Sequence, residues 1–453
     1  MSDNSDKKNK LNQIKSSVFS RGFAVAKIGL NAGLKYAGTK VSNSSFDDFL
    51  ISQAGSITKE IGQLKGSIMK AGQMLSMYGE YFLPPQANDL LKSLQSDSPA
   101  VAWPVMSQYL SQSMSAELLA ELEIDEEPIG CASMGQVHKA KIIATGEMMA
   151  LKIQYPDVEK AIDSDVAALR TLLKFTKLLP AGMDLDPVFE QIKGMLRQEL
   201  DYKTEASLTK EYKEKINNDP RFVVPKVFDR YSNKRVLATE YIEGFRADHP
   251  LVQALSQKRR DKLSENFLEL YLKEIFEWNL VQTDPHLGNY KIQIDPLGND
   301  RVVLLDFGAC SKFSDQFINT YRRMIKGSIT FNEPLFLKAA ADLGFIIPSD
   351  SKEYIKIFSD FCYETVEPFW TVDDPRNTKN KIKPDGTYNW KETDLPGRVV
   401  KKAVQFKNFD LRSPPKEILF LDRKTGGVFI FLSVLKANIN ARKIIDPFLE
   451  QVL

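Results

Sequence analysis

The sequence predicts an α+β fold of two lobes, with a helical extension in front and a mostly helical second half. Three observations predict it. At 453 residues the chain exceeds what one hydrophobic core usually organises. Between Glu121 and Tyr155 the texture changes from helical periodicity to short β-like runs. A second group of short strands then follows a long amphipathic helix over 258–278. The expected organisation is a polar, disordered tail over 1–14, helices over 15–100, a first lobe with a helical insertion over 101–243, and a second lobe over 244–453.

The elements follow from the pattern in order. From Ser17 to Val41 a Gly/Ala-rich helix is expected, with Phe19, Phe23, Leu30 and Leu34 on one side and Arg21 and Lys35 opposite. That pattern fits a helix packed on its own domain or on a partner, or one lying on a membrane surface. A second helix begins at the capping signal Ser45–Asp48 and runs until Pro84 and Pro85 stop it. Its stripe is Ile57, Ile61, Leu64, Ile68 and Leu75, which by periodicity leaves Lys70 and Gln73 one turn apart on a solvated side. The runs EPIG, GQVHKAKII and MMALKIQY read as a three-strand meander with a turn at ATGE. Helices are expected over 157–179 and 187–217, then strands in VVPKVF and RVLATEY. The long helix presents Leu263, Phe267, Leu270 and Ile275 to a core, and VQTDPHLGN, YKIQI, a PLGN turn and RVVLLDFGA succeed it. From Ser314 onward the chain reads as helical, apart from an irregular stretch over 373–397.

Composition narrows the classes. With 43% hydrophobic and 26% charged residues and a formal net charge of +2, the chain is of ordinary globular composition. Balanced charge, and the lack of a basic stripe interleaved with aromatics, disfavour nucleic acid as a partner. Cys131, Cys310 and Cys362 are widely separated, which fits a reducing compartment and structural roles. No secretory signal or organellar transit peptide is expected in the acid-containing first residues, and no apolar run of about 18 to 20 residues offers a membrane span.

Phosphoryl transfer needs a cation on the phosphates, a carboxylate to hold that cation, metal ligands, and a group that orients the nucleophile. Lys152 stands inside the third strand of the meander, in ALKI, and a later helix offers Glu199, Asp201 and Glu205 as partners for it. Asp284 and Asn289 share the D-x-x-x-x-N spacing with which protein kinases place a proton-accepting aspartate and a metal-binding asparagine. Asp306-Phe307-Gly308 follows a strand, where Asp306 would bridge metal and phosphates and Gly308 would permit the turn that aims it. The order of these motifs resembles that of protein kinases, so ATP and Mg²⁺ are the expected cofactors, the metal resting on Asn289 and Asp306. Of the histidines, His138, His249 and His286, none has a partner at zinc-ligand spacing. His286 could reach a phosphate or brace its loop.

At this point the chain resembles the UbiB family, the aarF-domain-containing, atypical protein-kinase-like proteins of ubiquinone biosynthesis. The likeness rests on K-x-G-Q at Lys70-Ala71-Gly72-Gln73, E-x-D at Glu199-Leu200-Asp201, the loop SMGQVH over 133–138, and LDRKTGGVFIFLSVLKA near the end. The resemblance implies a bilobal protein-kinase-like fold whose helical extension restricts the active site, with Lys70 and Gln73 in that extension and Lys70 touching Glu199 or the nucleotide. It also implies that Glu205 pairs with Lys152, that Ala132 and Ser133 belong to a nucleotide loop, and that Glu240, Tyr241 and Ile242 form an adenine-binding hinge. Two departures stand out. The family's alanine run is replaced by Gly130-Cys131-Ala132-Ser133, and Gln282 and Thr283 stand where ordinary kinases place an arginine before the catalytic aspartate.

The activity so implied is an MgATP-dependent ATPase or atypical kinase that supports isoprenoid quinone synthesis or lipid handling at a membrane surface. Its partners would be isoprenoid lipids or quinone precursors, other quinone-biosynthesis enzymes, and a membrane surface met by residues 17–41. The expected location is cytoplasmic, or peripheral on the inner face of a membrane. Two further readings are a kinase acting on a protein or small metabolite, and a nucleotide-gated scaffold without turnover.

Overall fold

The computed structural model describes residues 67–82, 91, 100–132, 134–175, 185–403 and 416–450. The expectations for the tail over 1–14, the helix over 17–41, the capping signal at 45–48, and Ile57, Ile61, Leu64 and Ser133 lie outside the described residues. The chain divides into two compact units, one of residues up to Lys210 with Lys226–Tyr241, the other of Glu211–Pro225 with Ile242 onward.

The first unit is built on an antiparallel sheet in the order β1-β2-β3-β5, with β1 Leu122–Cys131, β2 Gly135–Ile142, β3 Met148–Gln154 and β5 Val236–Glu240. The meander forms because alternation and turn chemistry agree: Met149, Leu151 and Ile153 of β3 are fully buried, and Gly146, at φ 74°, supplies the left-handed residue of the β2–β3 turn. Helices α1 Ser67–Phe82, α2 Trp103–Ser113, α3 Ala116–Ala120, α4 Val158–Phe175 and α5 Asp186–Glu199 accompany the sheet, and α6 Tyr202–Ile216 carries the chain out of this unit.

Two expectations change here. The single helix foreseen over 187–217 is two, because the chain breaks at Leu200 and the Asp201 carboxylate accepts the Lys203 and Thr204 amides at 3.2 and 3.4 Å. Helix α1 is not solvated on its Lys70 side. It packs against both α4 and α5, so Lys70 is 6% exposed and every described side chain from Ser67 to Ser76 except Gln73 is buried.

In the second unit α7 Pro250–Gln253 leads into α8 Gln257–Phe276, whose Leu263, Phe267, Leu270 and Ile275 are buried as their spacing predicts. Two small sheets follow: β6 Leu280–Gln282 pairs with β9 Cys310–Lys312, and β8 Arg301–Leu304 lies between β4 Phe222–Val223 and β7 Tyr290–Gln293. The turn between β7 and β8 uses Gly298 at φ 90°. Beyond them come α9 Asp315–Ile329, α10 Glu333–Asp342 and α11 Lys352–Thr365, then the irregular stretch, then α12 Leu395–Ala403, α13 Lys416–Val434 and α14 Ala441–Leu449. The irregular stretch is held at Arg376, which stacks on Phe331, Tyr363 and Trp370, pairs with Asp374, and donates to the carbonyls of Ser328 and Ile329.

Candidate phosphoryl-transfer residues in each unit

In the first unit the position of Lys152 follows from sheet register. Lys152 lies directly opposite Leu237 of β5, so both side chains leave the same face of the sheet. Leu237 packs with Tyr202 and Ala206 of α6, so Lys152 is presented to that helix as well. Its Nζ donates to both oxygens of Glu205 at 2.8 and 2.9 Å, and it stands 5.1 Å from the Tyr202 ring centre. Glu205 is 3% exposed, so the pair is largely withdrawn from water and firmly oriented. Of the three acids offered by sequence, Glu205 is therefore the lysine's partner. Asp201 caps α6, and Glu199 pairs with Lys70 at 2.8 Å.

The first loop of the meander is shaped by backbone contact. The Ala132 amide donates to the Gly135 carbonyl at 2.8 Å, and a Cβ on Gly135 would stand 2.6 Å from the Ile153 carbonyl oxygen. At the end of β5 the Tyr241 amide is taken by the Met148 carbonyl and the Glu240 amide by that of Lys226. Ile242 opens the second unit, where its carbonyl accepts Lys291 Nζ at 3.2 Å.

In the second unit the strand pairs bring two loops side by side. Gln282 is paired with Cys310 across β6–β9, and Tyr290 with Leu304 across β7–β8, so the segment 283–289 runs beside 305–309. Thr283 donates its amide to the Ala309 carbonyl at 3.0 Å, and the Leu305 amide donates to the Asn289 carbonyl at 3.0 Å. Asn289 Nδ2 donates to the Asp284 carbonyl at 2.9 Å, which leaves its amide oxygen for a cation. Asp306 accepts the Gly308 amide at 3.0 Å. Gly308 itself is not in the left-handed region, so its contribution is this N–H and not the special turn expected of it. His286 accepts the Gly288 amide on Nδ1 at 3.1 Å, which braces the loop, while buried His138 is spent on Gln136 and the Asp125 carbonyl.

Asp306 and Asn289 offer hard oxygen donors suited to Mg²⁺, and no group of three or more His, Cys, Asp or Glu side chains among the described residues could hold a metal ion alone. Such a pair fits a cation whose remaining ligands are phosphate and water oxygens.

Sequence reasoning missed the residues behind the loop. Arg423 Nη2 lies 2.6 Å from Asp284 Oδ1, and Lys424 Nζ lies 2.8 Å from Glu274 Oε2 in a pair that is 1% and 2% exposed. Burial holds the Glu274 carboxyl above the usual carboxylate range, with Lys424 opposing. Burial likewise pushes the hydroxyls of Tyr212 and Tyr290 well up, so both remain O–H donors. The only signal for these cations was their place in the segment LDRKTGG; no spacing ties them to Asp284.

The sequence matches the ABC1 atypical kinase-like domain over residues 93–339, more than half of the chain. The chain belongs to this ABC1 atypical kinase-like family. Its relatives include the probable serine/threonine-protein kinase abkA of Dictyostelium discoideum, 28% identical over 97% of this chain and 80% of that protein. The atypical kinase coq-8, mitochondrial, of Caenorhabditis elegans is 30% identical over 85% of this chain and 49% of its own, and the COQ8 atypical kinase of Saccharomyces cerevisiae is 27% identical over 95% and 83%. Against the nematode protein this chain thus spans only about half the relative's length. Among solved structures, the Rv3197–erythromycin complex from Mycobacterium tuberculosis is similar in fold, at a TM-score of 0.59 and 23% identity, over 88% of this chain and 96% of that one. A kinase-like domain implies ATP and a divalent metal in general. Among the described residues no helix is long and apolar enough to cross a membrane.

Proposed function

We propose that the chain binds MgATP and hydrolyses it or transfers its γ-phosphoryl group, in support of isoprenoid quinone (ubiquinone) synthesis or lipid handling at a membrane surface. The observation that carries the ATP reading is the two-oxygen grip of Glu205 on Lys152, made between residues 53 positions apart in sequence. A strand lysine fixed in this way is a preorganised cation for α- and β-phosphates. Asp284 is the group beside which the attacking hydroxyl or water would be oriented, and Asn289 and Asp306 would hold Mg²⁺, whose chemistry when bound is to neutralise charge on the phosphates. The Lys70–Glu199 pair supports a regulatory role for the K-x-G-Q helix, with Gln73 beside it, and Asp201 supports that arrangement by capping α6. Ala132, Ser133, Glu240 and Ile242 are proposed for the nucleotide's loop and hinge. The quinone part rests on the UbiB resemblance and on relatives named COQ8 atypical kinases.

The test is Mg²⁺-dependent ATP turnover by the full chain, with and without liposomes of anionic lipid and a quinone-precursor mimic. Turnover that rises with the liposomes supports the lipid-coupled reading; labelled phosphate appearing on a protein would replace it with a protein kinase.

A further inference from the structure

Helix α13 touches the loop 282–289 at three successive points, and each is chemically specific. Arg423 places its guanidinium 2.6 Å from the Asp284 carboxylate, with side chains 17% and 14% exposed. Lys424 is fully buried; its ammonium group forms an ion pair with Glu274 Oε2 at 2.8 Å and donates hydrogen bonds to Gln282 Oε1 and the Tyr290 hydroxyl, each at 3.3 Å. One turn on, Gly427 lies so close to Pro285 that a Cβ there would stand 2.2 Å from the proline's Cβ.

Gln282 is the joint of the arrangement. Lys424 can only donate, so Gln282 must turn its oxygen toward it, and the Tyr290 hydroxyl donates to the same oxygen at 2.6 Å. The amide nitrogen is thereby committed to the opposite side. There it donates to the main-chain carbonyls of Asp284 at 2.8 Å and Asp306 at 3.2 Å. The Gln282 amide N–H is itself taken by the Tyr212 hydroxyl at 2.9 Å. One side chain therefore ties together the two residues on which the phosphoryl-transfer reading depends.

Stability alone does not account for such a pair, since replacing a buried ion pair by apolar groups of similar volume is often neutral or stabilising. Its geometry is directed at the loop. In ordinary kinases an arginine stands just before the catalytic aspartate; here Gln282 and Thr283 occupy those positions, and the cations arrive from a helix some 140 residues later. We propose that Arg423 and Lys424 are positioning residues of this loop: Arg423 fixes the Asp284 carboxylate, and Lys424, paired with Glu274, fixes Gln282 and through it the main chain at Asp284 and Asp306. A cation supplied by the fold holds the loop without waiting on a phosphorylated segment. The inference rests on the MgATP reading for its functional consequence, but not for its structural one.

The experiment compares the full-length wild type with Arg423→Gln, Arg423→Lys and the paired variant Lys424→Met/Glu274→Leu, which removes both buried charges together. Amide hydrogen exchange and steady-state ATP hydrolysis are measured on each. In Arg423→Gln and in the paired variant, exchange at residues 284–289 and 306–308 should quicken on the order of 10-fold while the rest of the second unit keeps its protection. Their kcat should fall on the order of 10-fold or more, with KM for ATP changed less than about 2-fold. Arg423→Lys should recover part of the kcat. Unchanged loop exchange in both variants, quicker exchange spread evenly over residues 242–450, or a raised kcat would overturn the proposal. A wild type without turnover would remove the MgATP reading, and the exchange measurement would still decide the positioning claim.

Discussion

Lys152 matters less for its charge than for where its charge is held. A strand lysine is usually a solvated side chain, but this one faces α6 because its register partner Leu237 does, and Glu205 fixes it with two bonds. Glu205→Gln keeps the volume and removes the anion, so the lysine loses its orientation. ATP turnover in that variant should fall on the order of 10²-fold in kcat/KM, read in a steady-state hydrolysis assay. Gly427 makes a different kind of prediction at the same scale. A methyl group there overlaps Pro285, and Gly427→Ala should cost about 1–3 kcal/mol of stability in chemical denaturation, although alanine is the better helix former. The candidate residues were legible because phosphoryl transfer calls for such types at such spacing: Lys152, Asp284, Asn289 and Asp306 stand in motifs. Arg423 and Lys424 were not, because what selects them is closeness in space to Asp284 and Gln282, and nothing in linear spacing records it.

At the scale of elements, periodicity served best where one side of an element meets a core. The long helix α8 and the meander fall where their apolar spacing puts them. It failed for α1, since a helix packed against two others buries its polar side too, and Lys70 is buried with Glu199 as partner. The K-x-G-Q resemblance supplied what periodicity could not. Lys70→Ala should lower the first unit's stability by about 1–3 kcal/mol, seen as a lower urea midpoint, because it leaves Glu199 without this partner in a partly buried place. In the second unit Arg221 joins Asp219 to Glu269 of α8, donating to both carboxylates. Hydrogen bonds from Arg221 hold both carboxyls below their usual range, burial opposing. The stabilisation they bring is present above the unfolded carboxylate range, near pH ~4, and is lost as pH falls through the lower folded values. Thermal midpoints measured from pH 6 down to pH 3 should drop more steeply for the wild type than for Arg221→Gln.

For the molecule as a whole, the family is fixed by the match over residues 93–339, and the two-unit organisation carries one set of candidate groups in each part: Lys152 and Glu205 in the first, Asp284, Asn289 and Asp306 in the second. In the proposed function Lys152 would meet the phosphates, and Asn289 and Asp306 would hold the metal ion. The proposed function stands or falls on MgATP turnover that depends on Asp306. It is tested most directly by ATP hydrolysis of the full chain against its Asp306→Asn variant, each with Mg²⁺ and with chelator. Turnover in the wild type should require the cation and fall by on the order of 10²-fold or more in Asp306→Asn. Equal turnover in the two proteins, or turnover that persists in chelator, would contradict it.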